Sequence, residues 1–159
     1  MKTEEENYRR FYPDLIANGG VLNWVRRFMA QTPTVEVNGW GQNYAYIQCA
    51  GRSAQLSFLV FERRFTFDFW EEGKVLANGQ HTDFVAVVQT IKVWVTGNKS
   101  AEEFERETGF VKAWSNHPKS NPKPGAYLIS GDKLNKVRYG DPDNWLEVFQ
   151  RHGNNLDEV

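Results

Sequence analysis

Residues 63–73 read RRFTFDFWEEG, and Phe65, Phe67 and Phe69 occupy every second position with Thr66 and Asp68 between them. A two-residue period sends alternate side chains to opposite faces of a strand. The three phenylalanines therefore share one face, and Thr66, Asp68 and Trp70 share the other. The same period runs through much of 34–79. Val35 and Val37 alternate before an Asn38-Gly39 turn, and 44–49 follow as a second strand. After a short Gly51-Arg52-Ser53 connection come 55–61, then 64–70, then a short piece 74–77 closed by Asn78-Gly79. Consecutive strands with short turns imply an antiparallel meander, because parallel neighbours need long crossovers.

Helical spacing flanks this meander. Segment 4–17, then Gly19-Gly20, then 21–30 predict two helices or one broken helix; Val21, Leu22, Val25, Phe28 and Met29 recur on one side and Arg26 and Arg27 point elsewhere. In 82–96, Phe84, Val88, Ile91 and Val95 share a side that Val87 and Trp94 widen. Thr82 is placed to cap that helix, Asp83 to meet its positive end and Gly97 to end it. Ser100-Ala101-Glu102-Glu103 has the form of a capping box, and Gly109 stops the helix it starts. Strands at 110–114 and 126–129 surround a loop, 115–125, that holds Pro118, Pro122 and Pro124. Asp141-Pro142 opens a last helix running to Gly153. The pattern predicts an α+β fold, a single domain over 1–159, with an antiparallel β-meander and helices packed on one face.

In such a fold the phenylalanine row is core. The rival is a base-stacking platform, but the glycine pattern of RNA-recognition sheets is missing. Asp68, Glu71 and Glu72 would also repel phosphate, although Arg63 and Arg64 precede them.

Composition sharpens this only in places. The 159 residues suit one core, and 14% aromatic residues with six Trp raise the chance that some rings face a partner. The net charge of −1 sets up no global attraction for nucleic acid or anionic membrane. One cysteine, Cys49, allows no internal disulfide. The start, MKTEEENYRR, is polar where a secretory signal needs an apolar stretch, and no apolar run reaches the roughly 18 residues of a membrane span. A cytoplasmic protein without membrane association is expected.

Candidate chemistry is sparse. His81, His117 and His152 stand in three contexts without metal-ligand spacing, so neither metal nor cofactor is expected. His81-Thr82-Asp83 reads as a helix start before it reads as a base and its orienting acid. No Gly-x-Ser-x-Gly elbow occurs, and the adjacent members of Glu71-Glu72 and of Glu102-Glu103 point apart. No catalytic residue is identified. Charge is uneven: 101–109 carry a net −3 from Glu102, Glu103, Glu105 and Glu107 against Arg106, whereas 112–138 carry a net +5.

In size and α+β layout, though not by any motif, the chain resembles the small bacterial immunity proteins of secreted or contact-delivered toxin systems. The resemblance implies a non-catalytic inhibitor that binds a cognate toxin domain one to one. The abundant Trp and Tyr and the local charge asymmetry suit such a surface. The expected interface takes exposed Trp40, Tyr44, Trp70 and Trp114 as anchors, flanked by Asp68, Glu71, Glu72, Glu102 and Glu103. Two alternatives stay open: an enzyme whose site is assembled from dispersed residues such as Asp68, Glu71 or His81, and a module binding a ligand or nucleic acid through the sheet.

Overall fold

A computed structural model describes residues 1–40 and 43–117. The expected proline loop beyond 117, the strand at 126–129, the helix at 141–153 and the reach of the domain to 159 all lie outside these residues.

Three helices, α1 (Glu4–Phe11), α2 (Pro13–Ala17) and α3 (Val21–Phe28), precede five strands: β1 (Glu36–Asn38), β2 (Ala45–Cys49), β3 (Arg52–Phe58), β4 (Phe65–Glu71) and β5 (Lys74–His81). Helices α4 (Phe84–Thr96) and α5 (Ala101–Thr108), strand β6 (Val111–Ala113) and a short 3-10 turn at Trp114–Asn116 complete the unit Met1–Asn116. The strands form one antiparallel sheet in sequence order, β1-β2-β3-β4-β5-β6. The α+β meander expected from the two periodicities is the fold observed.

Phe65, Phe67 and Phe69 are core. They are at most 1% exposed, and burial of each contributes about 1.5–3 kcal/mol relative to exposure. Phe69 stacks on Trp94 of α4, with centroids 4.7 Å apart and planes at 3°. Phe65 meets Phe84 and Tyr12 edge-on, and Phe104 of α5 meets Phe69. These contacts put α4, α5 and the α1–α2 corner on the phenylalanine face.

Several boundaries move, each for a local reason. The helix expected over 4–17 breaks at Tyr12, because Pro13 has no N–H to continue α1 and instead starts α2. Strand β3 begins at Arg52, not 55. Its turn is Ala50-Gly51, with φ of 48° and 87°, and Glu72-Gly73 repeats the device at 48° and 79°. Two successive left-handed residues are what a two-residue type I′ hairpin requires. Strand β5 passes through Asn78-Gly79 instead of turning there. Gly79 pairs with Phe67, whose ring lies over it, and a Cβ at this position would also sit 2.8 Å from the Phe110 carbonyl oxygen. A bulge opposite Phe69 and Trp70 shifts the register of β5.

Asp83, not Thr82, caps α4: its carboxylate accepts from the Val85 and Ala86 amides at 3.0 and 3.4 Å. The expected capping box forms, with Ser100 Oγ accepting from Glu103 N and Glu103 accepting from Ser100 N. Gly109 ends α5 in the left-handed region. Among the described residues no helix is long and apolar enough to cross a membrane.

Candidate functional site

Antiparallel register carries a residue's partners across the sheet on the same face. Followed through all six strands, it aligns Asn38, Tyr46, Gln55, Asp68, Asn78 and Lys112 in one row on the face opposite the phenylalanines. The row is exposed at Asn38, Asn78 and Lys112, half-buried at Tyr46 and Asp68, and closed at Gln55, which keeps 9% of its surface. Beside it, Glu36, Gln48, Ser53 and Trp70 form a second row, with Gln48 donating to Glu36 at 2.6 Å.

This face gathers part of the predicted interface. Tyr44 lies one residue before β2, at the end of the face that holds Tyr46, and Trp40 packs on it with centroids 4.8 Å apart. Burial, then the charge of Asp68, then Tyr46 push the Tyr44 phenol well above its ordinary range. Burial likewise holds the Asp68 carboxyl well above the usual carboxylate range. No ion pair or hydrogen bond to Asp68 occurs among the described residues. The neighbouring Gln55 Oε1 is buried and accepts no hydrogen bond among the described residues. A half-buried acid beside an unfilled amide acceptor is a centre that needs donors.

The expectation of exposed aromatic anchors is corrected at two positions: Tyr44 is 5% and Trp70 6% exposed. The alternation of β4 put Trp70 on the correct face, but the opposite face of this sheet is not uniformly open, and strand periodicity carries no information about that. Trp40 and Trp114 are half-buried.

The remaining acidic candidates serve the scaffold. Glu71 accepts from Arg52 Nε at 2.7 Å. The Arg52 guanidinium carbon lies over the Trp94 ring, 4.0 Å from its centroid, and the guanidinium donates to the carbonyls of Lys99 at 2.8 Å and Trp94 at 3.4 Å. Glu71 thus orients the cation that holds the end of α4. Glu72 is a turn residue. Glu102 accepts from Ser115 Oγ, and that bond lowers its carboxyl pKa; Glu103 is lowered by the Ser100 amide that it caps. Glu105 accepts from Ala113 N and Asn116, and Glu107 from Lys99. The acidic run of α5 is therefore engaged along its length: Glu102 and Glu105 tie the helix to β6 and the turn after it, Glu103 caps its start, and Glu107 holds Lys99.

The dispersed catalytic set does not converge. His81 pairs with Phe65 on the phenylalanine face, where its ring packs on Phe110 and Nδ1 accepts from Asp83 N. Glu71 reaches Arg52 on that side too, while Asp68 faces away, so the sheet separates Asp68 from both. Among the described residues no group of three or more His, Cys, Asp or Glu is placed to hold a metal ion.

Gln55 was marked by no motif, Asn78 was read as part of a turn, and Lys112 only as part of the basic stretch. The signal was present in the meander itself, since five short antiparallel pairings determine which residues share a row. Comparison with family models, with curated proteins and with solved structures finds no match to the chain.

Proposed function

We propose that this chain is a non-catalytic inhibitor, an immunity protein that neutralises a cognate bacterial toxin domain by binding it, and that it does so through the sheet face opposite the phenylalanine core. The observation that supports the reading is the row itself: a centre closed at Gln55 and half-buried at Asp68, aromatic rings beside it, and exposed polar residues at its margins. Protein interfaces have this plan, with a desolvated centre rich in Tyr, Trp or Arg contacts inside a polar rim. The resemblance in size and layout points the same way.

A toxin domain encoded beside this gene is expected to co-elute with the full chain as a one-to-one complex and to lose its toxicity in that complex. Tyr46→Ala and Asn78→Arg, both on the proposed face, are expected to weaken binding at least tenfold while circular dichroism stays unchanged. Full protection by both variants would remove this face from the proposal. Failure of neighbouring toxin domains to bind the wild-type chain would remove the inhibitor reading.

A second reading has one specific support. A desolvated acid such as Asp68 is the kind of group that serves as a general acid. Its partners would have to be other than Glu71 and His81.

A further inference from the structure

The centre of the row has a definite chemistry. Asp68 and Gln55 are direct partners on adjacent strands, and Asp68 is flanked on its other side by Asn78. Lys112 lies two strands from Asp68, beyond Asn78, and the ion pairs among the described residues do not join it to Asp68. The acceptors at the Gln55–Asp68 pair are the two carboxylate oxygens of Asp68 and Gln55 Oε1, the latter buried with no donor among the described residues. Tyr46 is the next residue of the row beyond Gln55, and Tyr44 lies close enough to Asp68 to feel its charge.

A ligand that fills the acceptors of this centre must bring several donors and a positive charge and tolerate aromatic faces. Among side chains, only the guanidinium combines five N–H donors in one plane with stacking on aromatic rings. An ammonium is a more strongly hydrated point charge and is harder to desolvate. A neutral amide donor would leave the carboxylate uncompensated.

We propose that the Gln55–Asp68 centre binds a guanidinium, the side chain of an arginine presented by the protein partner. The proposal rests on the inhibitor reading for the source of the arginine, but the site itself can be tested without any partner. Bidentate pairing with Asp68 and a third bond to Gln55 Oε1 would fill every open acceptor of the pair, and it would supply the opposite charge that this half-buried carboxylate lacks within the described residues.

The test titrates the full chain with methylguanidinium and, separately, with the neutral isostere methylurea, following the indole N–H signals by NMR. The same titrations are run on Gln55→Leu and Asp68→Asn, each checked for native signal dispersion. A saturable shift with methylguanidinium, absent with methylurea and weakened at least fivefold in both variants, supports the site. No saturable shift, an equal response to methylurea, or unchanged binding in the two variants overturns it. The two readings fail separately. Methylguanidinium binding without any toxin partner upholds the site and counts against the inhibitor reading. A toxin complex whose affinity is unaffected by Asp68→Asn upholds the inhibitor and overturns the arginine anchor.

Discussion

Tyr12→Phe removes one oxygen atom from the core and is expected to destabilise the protein well beyond the cost of an ordinary hydroxyl. Tyr12 is fully buried where α1 gives way to α2, and its hydroxyl meets the loop between β3 and β4. The oxygen accepts from Arg64 N at 2.9 Å, and the carbonyls of Leu59 and Glu62 lie 2.6 and 2.7 Å away. A hydroxyl has one proton, so it serves one of those carbonyls at a time. Phenylalanine strands that carbonyl and the Arg64 amide together.

Each net hydrogen bond is worth about 1 kcal/mol, and a stranded backbone group costs up to about 3 when water cannot reach it. This site is part-buried, so the expected loss is about 2–3 kcal/mol, or about 5–10 °C in Tm for a chain of this size. Urea unfolding followed by tryptophan fluorescence reads the loss directly, with an unchanged m-value showing that the folded state keeps its compactness. A second readout is local. Phe61, at 79% exposure, sits in the same loop, and chymotrypsin should cut there faster in the variant. A loss under about 0.5 kcal/mol with unchanged cleavage would show that water replaces the hydroxyl and that Tyr12 does not organise the loop.

Three further outcomes are expected. Glu72→Asn, at a left-handed turn position that asparagine tolerates better, should stabilise by about 0.5–1 kcal/mol in thermal unfolding. Arg52→Met should cost about 2–3 kcal/mol in urea, through lost bonds to Lys99 and Glu71, whereas Glu71→Gln, at the more exposed end of the pair, should cost only about 0.5. Asp68→Asn should stabilise at pH 8 and not at pH 3: a carboxyl raised by folding is protonated in both states in strong acid, and the wild type loses stability as pH climbs above the unfolded value of about 3.9. Equal urea midpoint differences at the two pH values would refute the desolvation of Asp68.

The fold was legible because its signals are local. Phe65, Phe67 and Phe69 alternate over the right length, Ser100 and Glu103 have the spacing of a reciprocal cap, and short connections leave antiparallel pairing as the arrangement for the consecutive strands. Ala50-Gly51 was missed because alanine gives no hint of a positive φ; the register of two strands imposes it. Asn78-Gly79 misled for the opposite reason, since its turn chemistry is overruled by the Phe67 ring that needs a glycine beneath it. At the site, alternation assigned Asp68 and Trp70 to the correct face. It could not show that Trp70 is buried, nor that Glu71 is engaged by Arg52, because that pairing joins residues whose proximity depends on tertiary packing; the capping box, read correctly, already claimed the Glu103 carboxylate that the interface was also expected to use.

The order of the sheet also bears on how the protein folds. From β1 to β5 every pairing joins sequence neighbours, so hairpins can close across two to six residues at little entropic cost. Among the described strands only β6 joins its neighbour across a long segment, 82–110, which contains α4 and α5. Asn38, Tyr46, Gln55, Asp68 and Asn78 can therefore align early, and the basic end of the row at Lys112 arrives last. A stopped-flow refolding experiment should resolve that step as the slower one.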